Sequence, residues 1–162
     1  MKKGIKMLEL RTVPQIVDLD QDEINDLLHR INFGHLGVCR NNLPYVVPIH
    51  FAYGNPGIFF FTTEGMKTEI IDENPNVCLQ VEDVRTHEDW DSVMIFGSVE
   101  RLTTTDEIEH AMKLIKKVNP KLSPAWSVRW MDEWVRSNVE VVYRIPTSDV
   151  RGRRAFRNER VQ

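Results

Sequence analysis

The sequence has no apolar run near the ~20 residues that a membrane-spanning helix requires. Its first residues, MKKGIKMLEL, include lysines but no apolar core of a secretory signal. The formal net charge of −3 leaves no basic excess of the kind that attracts nucleic acid. From these absences we expect a cytoplasmic protein that binds neither a membrane nor nucleic acid.

Familiar nucleotide and metal motifs are absent as well. Neither a GxxxxGK[ST] phosphate loop nor a Rossmann glycine fingerprint occurs in the chain. The two cysteines, Cys39 and Cys78, are isolated in predicted strands, so we expect reduced thiols, although spacing alone leaves a disulfide open. His87, Glu88 and Asp89 are adjacent, and adjacent residues rarely converge on one ion. We therefore expect no metal site.

The length and composition indicate one globular unit. The 162 residues suffice for a real core but not for two independent ones. Hydrophobic residues make up 41% and charged residues 28% of the chain, which is ordinary for a globular protein. We expect a single domain over 1–162, with an extended N-terminal arm at 1–18 and an arginine-rich C-terminal tail at 147–162.

Residues 43–67, LPYVVPIHFAYGNPGIFFFTTEGMK, contain the most informative pattern. Every odd position from 45 to 53 is apolar, which predicts a strand that buries one face. Turn-forming residues at 54–57 lead into a short apolar run at 58–61, which predicts the return strand of a hairpin. A helix-like segment over 66–73 follows directly.

Capping residues followed by apolar residues at helical spacing predict three more helices. They begin near Asp20, Thr104 and Ser123. The last carries Trp126, Trp130 and Trp134 on one face, which we expect to pack against the barrel or a partner rather than to line a ligand. The alternating segments make about six strands, joined mainly by hairpins. The predicted fold class is therefore α+β, a small antiparallel β-barrel with flanking helices.

The junction between the return strand and the helix at 66–73 is where the residues themselves point to a ligand. N–H groups at a helix start are unpaired and attract anions. Thr62 and Thr63 can donate hydrogen bonds, Gly65 lets a ligand approach the backbone, and Lys67 adds a charge. An anion cradle is one interpretation. A polar loop with a solvated lysine is the other, and composition alone favours it.

Three segments match a known family in the same order. They are LPYVVP at 43–48, FFTTEGMK at 60–67 followed by ENPNV at 73–77, and SVMIFGSVE at 92–100. Together they resemble the FMN-binding split barrels related to pyridoxamine 5'-phosphate oxidase, most closely the branch that includes the nitroimidazole-resistance proteins. The resemblance spans roughly residues 20–118. It implies a split β-barrel, FMN as cofactor with FAD or haem as alternatives, and a homodimer with the cofactor at the subunit interface.

The resemblance also implies where the cofactor lies. The threonines and the lysine hold the phosphate, strand residues 47–50 run beside the isoalloxazine ring, and Ser92 stands where the oxidases have a glutamine that contacts the flavin. The residues expected to bind the cofactor are Val47, Pro48, Ile49, His50, Phe61, Thr62, Thr63, Gly65, Lys67 and Ser92. His50 is also the candidate catalytic residue, because an imidazole can move a proton near neutral pH. A satisfied histidine on a barrel face is an equal alternative.

The chain departs from the oxidases in two motifs. Their Arg-x-Val-Leu-Leu-Lys strand is replaced by a segment without a cation at 45–50, and their Trp-Arg-Leu motif is absent near 151–154. We therefore do not expect oxidation of pyridoxamine phosphate. The prediction is an FMN-dependent oxidoreductase acting on a small molecule, with nitro-compound reduction as one candidate. The alternatives are a flavin or haem carrier or redox sensor of the same fold, and a structural protein without a ligand.

Overall fold

A computed structural model describes residues 14–118 and 141–157. Within these ranges the chain forms ten strands and three helices. In chain order they are β1 Gln15–Asp18, α1 Gln21–Arg30, β2 Phe33–Arg40, β3 Leu43–His50, β4 Ala52–Gly54, β5 Gly57–Thr62, α2 Met66–Glu73, β6 Asn76–Thr86, β7 Asp89–Ser98, β8 Glu100–Arg101, α3 Thr105–Val118, β9 Val141–Pro146 and β10 Asp149–Phe156. The helix predicted from Ser123, with its three tryptophans, lies outside the described residues.

The strands form two antiparallel sheets. One has the order β1-β10-β7-β6-β2-β3, and the other has the order β4-β5-β9-β8. The chain passes between the sheets where β3 leads into β4 and where β7 leads into β8, so the two sheets wrap around a common interior. This is the α+β antiparallel split barrel that the sequence predicts, with more strands than the expected six.

The barrel interior follows from the period-2 pattern of its strands. Leu36, Leu79 and Ile95 are cross-strand neighbours on β2, β6 and β7, and all three are fully buried. Burying such side chains contributes roughly 1.5–3 kcal/mol each. A second apolar cluster lies under α3, where Ala111 and Ile115 contact residues of the smaller sheet. The core thus fills the barrel and seats α3 on its smaller sheet.

Local sequence signals set the helix starts. At α1, the Asp20 carboxylate accepts a hydrogen bond from the Glu23 N–H (2.9 Å), and the Glu23 carboxylate accepts one from the Asp20 N–H (3.0 Å). This reciprocal capping box satisfies two N–H groups that the helix itself leaves unpaired. Ile24, Leu27 and Leu28 are buried at helical spacing. The predicted helix and its capped start are both confirmed.

The expectation of a C-terminal tail was wrong. Residues 149–156 form β10, which pairs with β7 on one side and with β1 on the other. Arginines at alternating positions of a strand can point to opposite faces, so a charged segment need not be a solvated tail. The end of the N-terminal arm is also a strand, β1.

The charged residues over 82–91 suggest a polar loop by composition, but they belong to two strands. Instead β6 and β7 pair through this region and place Asp83 opposite Asp91. Like charges in direct cross-strand contact are unfavourable. Here Arg85 donates hydrogen bonds to both carboxylates, and Arg154 from β10 also donates to Asp91. The strand pairing is compatible with the acids because Arg85, nearby in the chain, and Arg154, from β10, neutralise them.

Gly57 is a point at which the smaller sheet tolerates no side chain. A Cβ added there would lie 2.3 Å from the backbone oxygen of Ile145 on β9. Because the obstacle is backbone, no rotamer change can relieve it. We expect Gly57→Ala to lower the free energy of unfolding by about 1–3 kcal/mol, measured by urea denaturation. The control is Gly97→Ala, whose Cβ would lie 3.2 Å from its nearest neighbour. Equal losses in the two variants would contradict the steric account.

Candidate functional site

The start of α2 lies at the open end of β5. The first helical hydrogen bond runs from the Glu69 N–H to the Gly65 carbonyl (3.0 Å), so the N–H groups of residues 66–68 precede it without a helical acceptor. The Thr68 hydroxyl accepts a hydrogen bond from the Gly65 N–H (2.9 Å) and donates one to the Gly65 carbonyl (2.8 Å). Thr68 and Ile70 are buried and hold the helix against the barrel. The result is a fixed, partially positive helix start.

Lys67 in the first turn of α2 is a half-buried cation. Burial lowers the pKa of its ammonium below the ordinary value, because the charged form loses hydration. None of the ion pairs among the described residues includes Lys67. A half-buried ammonium without a carboxylate beside a helix start is the arrangement that an incoming anion would complete.

The nearest acid in sequence, Glu64, is committed elsewhere. Its carboxylate accepts a hydrogen bond from Arg101 on β8 at 2.7 Å. That hydrogen bond is the main reason why the pKa of Glu64 lies below its usual range. Arg101 thereby fastens the loop before α2 to the smaller sheet. Both side chains are well exposed, so the pair positions the loop more than it stabilises the fold.

Thr62 and Thr63 lie in the same loop as Gly65 and Lys67. The Thr62 hydroxyl makes only a long hydrogen bond, donating to the carbonyl of Thr63 at 3.3 Å. Thr63 is exposed. A Cβ built on Gly65 meets no described residue within 4 Å. The four residues predicted to hold a phosphate thus lie in one loop, beside space that the described ranges leave unfilled.

A buried phenol lies behind this loop. Tyr143 on β9 pairs with Phe60 of β5 and with Arg101 of β8. Its hydroxyl is buried and has no hydrogen-bond partner among the described residues. Burial raises the pKa of Tyr143 to about 12, so the phenol stays neutral at physiological pH. It therefore adds no negative charge that would compete for Lys67.

Strand β3 forms one wall of the candidate site. It is the last strand of its sheet, so within the described residues its outer backbone edge has no partner strand. Ile49 is buried and Val47 is partly buried against the core, whereas Pro48 and His50 point outward and are exposed. The Phe51 N–H donates to the Asn32 carbonyl beside β2, and backbone groups that face one side of a strand recur every second residue. The backbone groups of Val47 and Ile49 therefore face β2, and those of Pro48 and His50 face the open edge.

The pairing of the smaller sheet stops before the end of β5. Pairing of β4 with β5 ends at Ala52 and Phe59, although β5 continues to Thr62. Two residues along each strand beyond that pair are His50 and Phe61. We call the space over the loop before α2 the opening beside α2. That residues 47–50 and 61–67 meet there stays a prediction.

His50 lies on an aromatic surface. Its ring is 5.1 Å from that of Phe33, and the Phe33 ring is 5.6 Å from that of His35. Phe33 is 41% exposed, which is unusual for so large an apolar side chain. Among the described residues, none forms a hydrogen bond or an ion pair with His50. Its imidazole is therefore available to a ligand on that surface.

Ser92 lies in another part of the same sheet. It is on β7, opposite Glu82 of β6 and Arg153 of β10. Strand spacing of ~4.8 Å puts β7 about 14 Å from β3, with β6 and β2 between them. Ser92 is thus not part of the opening beside α2. A contact between Ser92 and the cofactor stays a prediction.

Sequence reasoning missed two residues of this region, Phe33 and Arg101. Phe33 begins a strand and gives no sign by itself that its ring will be exposed. Arg101 follows a strand that breaks at Val99, and only the pairing of β8 with β9 brings it to the loop before α2. The only sequence signal for Arg101 was its position, because strand alternation predicts a buried residue there and the chain has an arginine.

The described residues contain no group of three or more histidine, cysteine, aspartate or glutamate side chains that could hold a metal ion. Both cysteines are free thiols. No helix in the described ranges combines the length and the apolarity needed to cross a bilayer.

The fold and this loop define a split-barrel protein with a cation at a helix start that has no ion-pair partner in the described part of the chain. The chain belongs to the pyridoxamine 5'-phosphate oxidase family, whose model matches residues 20–154. That range includes every element that borders the opening. The prediction of the family from three sequence segments is confirmed.

Solved structures with this fold include several bacterial proteins. An FAD-binding protein from Mesorhizobium loti is 26% identical, with a TM-score of 0.69 over 88% of this chain and 98% of that one. A putative 5-nitroimidazole antibiotic resistance protein from Bacteroides thetaiotaomicron is 24% identical, with a TM-score of 0.69 over 88% and 89%. An FAD and heme binding protein from Mycobacterium smegmatis is 14% identical, with a TM-score of 0.64 over 87% and 75%. The last two likenesses establish the fold alone.

Proposed function

We propose that this protein binds FMN in the opening beside α2 and acts as an oxidoreductase on a small molecule. The observation that carries the proposal is Lys67, a half-buried cation without a carboxylate partner among the described residues, at a helix start bordered by Thr62 and Thr63. The flavin-binding relative from Mesorhizobium loti, which shares the fold, supports a flavin as the ligand. FAD is the alternative flavin, since its pyrophosphate offers the same kind of charge.

The bound flavin would supply the redox chemistry, and the protein supplies position and charge. Lys67, the two threonine hydroxyls and the N–H groups at the start of α2 hold the phosphate. On the open edge of β3, the His50 N–H would donate and the carbonyls of Pro48 and His50 would accept hydrogen bonds from the polar edge of the ring. His50 holds or moves a proton at its exposed imidazole, next to Phe33, which covers one side from water.

We also propose a homodimer with the cofactor at the subunit interface. The outer face of the larger sheet carries apolar side chains in water, with Val46 62% exposed, Phe33 41% and Phe96 37%. Exposed apolar area of this kind marks interaction surfaces. A second copy would cover these side chains and close the opening beside β3.

The dimer makes a prediction about Val46. We expect Val46→Asp to weaken self-association by at least roughly ten-fold, because a carboxylate would lose its hydration at the interface. Sedimentation velocity over a range of concentrations measures this. The control is Leu43→Asp. Leu43 is 74% exposed and lies on the same strand, but strand alternation directs it to the opposite face of the sheet from Val46. If both variants, or neither, shift the protein toward a monomer, the interface lies elsewhere.

The main test of function is spectroscopic. Purified protein, reconstituted with FMN or FAD and desalted, should keep a flavin absorbance, and the released cofactor identifies which flavin binds more tightly. Anaerobic reduction by NADH or NADPH, followed by addition of a nitroaromatic acceptor, then separates an enzyme from a carrier. Reduction of the flavin without reoxidation by any small acceptor would favour a carrier. A protein that retains no flavin would overturn the proposal.

A second candidate function is a haem-binding or combined carrier role. The exposed imidazole of His50 could serve as an axial ligand, and the similar fold of the FAD and heme binding protein supports this candidate. A Soret band on addition of haem that is lost in His50→Ala, while flavin binding persists, would favour it. If no Soret band appears, the haem candidate fails and flavin binding remains the proposed function.

A further inference from the structure

A cleft lies between α1 and the turn that joins β4 to β5. Its volume is about 320 Å³. Its polar lining comes from Asn25 and His29 on α1, from Tyr53 and Asn55 in the β4–β5 hairpin, and from Thr147 after β9. We call this space the α1 cleft. Because its lining comes from three distant parts of the chain, only the folded barrel forms it.

The α1 cleft is remote from the proposed flavin site and from the proposed dimer interface. Gly57 borders the cleft and begins β5, whereas Thr62 ends that strand next to the loop before α2. Five steps of about 3.3 Å along an extended strand put these two residues about 16 Å apart. No described residue that lines the cleft belongs to a strand of the larger sheet. An inference about this cleft therefore depends neither on flavin binding nor on dimer formation.

Asn25 offers fixed hydrogen-bond donors in the cleft. Its Oδ1 accepts hydrogen bonds from the Tyr53 hydroxyl at 2.9 Å and from Gln21 Nε2 at 3.1 Å. These two bonds hold the amide plane, whereas Nδ2 of Asn25 donates to none of the described residues. The Tyr53 hydroxyl gives its proton to Asn25 and keeps a lone pair with which to accept. A donor and an acceptor are thus held side by side, which lowers the ordering cost of binding.

The rest of the lining is polar without permanent charge. The backbone carbonyl of Asn55 accepts a hydrogen bond from His110 Nε2 at 3.1 Å, which anchors the turn to α3. The described residues that line the cleft include no lysine, arginine, aspartate or glutamate. A charged ligand would lose hydration there without meeting an opposite charge. The lining therefore favours a neutral ligand that has several donors and acceptors of its own.

Two rings add an apolar surface to the cleft. The ring of His29 lies 4.7 Å from that of Tyr53, with an angle of 52° between their planes. A planar ligand cannot insert between them, because two stacked contacts would need about 3.5 Å each. The electron-rich faces of such rings attract the C–H groups of a saturated ring. The volume is near the lower end for ligand sites and suits a single ring.

We propose that the α1 cleft binds a neutral monosaccharide. Hydroxyl groups of the sugar accept hydrogen bonds from Asn25 Nδ2 and donate to the Tyr53 oxygen. The C–H face of the sugar ring packs against the rings of His29 and Tyr53. A monosaccharide matches the cleft because it combines neutral hydroxyl groups with one saturated ring.

NMR titration of the isotopically labelled full-length protein with glucose, galactose and mannose tests the proposal. We expect at least one of the three to bind with a dissociation constant of about 1–10 mM and to shift the backbone amides of Tyr53 and Gly57. Tyr53→Phe keeps the ring without the hydroxyl, and Asn25→Ala removes the donors. Each should weaken binding by roughly 2- to 10-fold. Asn76→Ala is the matched control, because Asn76 is an exposed asparagine at the start of β6, outside the cleft.

The proposal is wrong if none of the three sugars shifts these amides at about 100 mM. It is also wrong if glycerol binds equally well, because the cleft would then not recognise a ring. Tighter binding of glucuronate or glucosamine would assign a charged ligand, and tighter binding of adenosine would assign a planar one. An equal loss in Asn76→Ala would remove the role of Asn25. Competition between the sugar and FMN would merge the cleft with the flavin site. Sugar binding that persists in Lys67→Ala, or in a protein that retains no flavin, supports a separate site even if the flavin proposal fails.

Discussion

Lys67→Ala is expected to weaken FMN binding by about 10- to 100-fold and to leave riboflavin binding nearly unchanged. The charge-assisted contact between the ammonium and the phosphate is worth roughly 1.5–3 kcal/mol, and riboflavin has no phosphate with which to make it. The start of α2 still offers its N–H groups to the phosphate, so binding should weaken rather than vanish. Fluorescence titration of each flavin with each protein gives the four dissociation constants.

The comparison with riboflavin is what assigns Lys67 to the phosphate. A lysine that only stabilised the loop before α2 would weaken both flavins equally when removed. Lys113→Ala is the matched control, because Lys113 is an exposed lysine on α3, away from the opening. If Lys113→Ala weakens FMN as much as Lys67→Ala does, the effect reflects net charge rather than a contact. In that case the phosphate binds elsewhere, and the proposal that FMN binds beside α2 is wrong.

The second large effect concerns Asp91, a buried carboxylate that joins three strands. It is 4% exposed, and it accepts hydrogen bonds from Arg154 Nε at 2.6 Å and from Arg85 Nη1 at 3.2 Å. We expect Asp91→Ala to lower the free energy of unfolding by about 3 kcal/mol, measured by urea denaturation. Breaking a buried pair costs ~3–5 kcal/mol, and the lower end applies because both arginines remain partly exposed and keep other carboxylate partners.

Asp89→Ala is the control for this prediction, because Asp89 pairs with the same Arg85 at 2.6 Å but is well exposed. Exposed ion pairs contribute about 0–1 kcal/mol, so this variant should be nearly as stable as the wild type. Equal destabilisation by both substitutions would mean that burial does not govern the energy of this cluster. A loss below about 1 kcal/mol in Asp91→Ala would mean that the two arginines need no buried partner.

The same carboxylate makes stability depend on pH. Burial by itself would raise the pKa of Asp91, but hydrogen bonds from Arg154 and Arg85 outweigh it and hold the pKa below its usual range. A depressed pKa in the folded state contributes stability that is fully present above the unfolded value of about 4, and that is lost as the pH falls through the folded value. Asp91→Asn should therefore flatten the loss of stability in acid. An unchanged acid profile would assign that loss to other carboxylates.

Much of the fold could be predicted from local patterns in the chain. The capping box at Asp20 and Glu23, and the helix over 66–73, each depend on neighbours within a few residues, so the sequence reveals them directly. The alternation along 45–53 likewise separates inward from outward residues before any pairing is known. The family and the antiparallel split barrel followed from three such segments.

The same local reading failed where charges face each other across strands. The acids around Asp83 and Asp91 favour a loop when read locally, because Arg154, which neutralises Asp91, lies more than sixty residues away in the chain. The arginine-rich ending looked like a tail because pairing with β7 and β1 leaves no local mark. Sequence reasoning weighs charges as exposed unless a partner is nearby, and here the partners come from other strands.

The candidate site divides in the same way. The residue types in the loop before α2 were readable from the sequence, including the hydroxyls, the glycine and the lysine. Only the tertiary structure decided that, among the described residues, Lys67 is half-buried and unpaired, β3 is an edge strand, and Ser92 lies three strands away from β3. The physical reason is range: backbone preferences act over a few residues, whereas burial and charge pairing depend on which strands the folded sheet brings together.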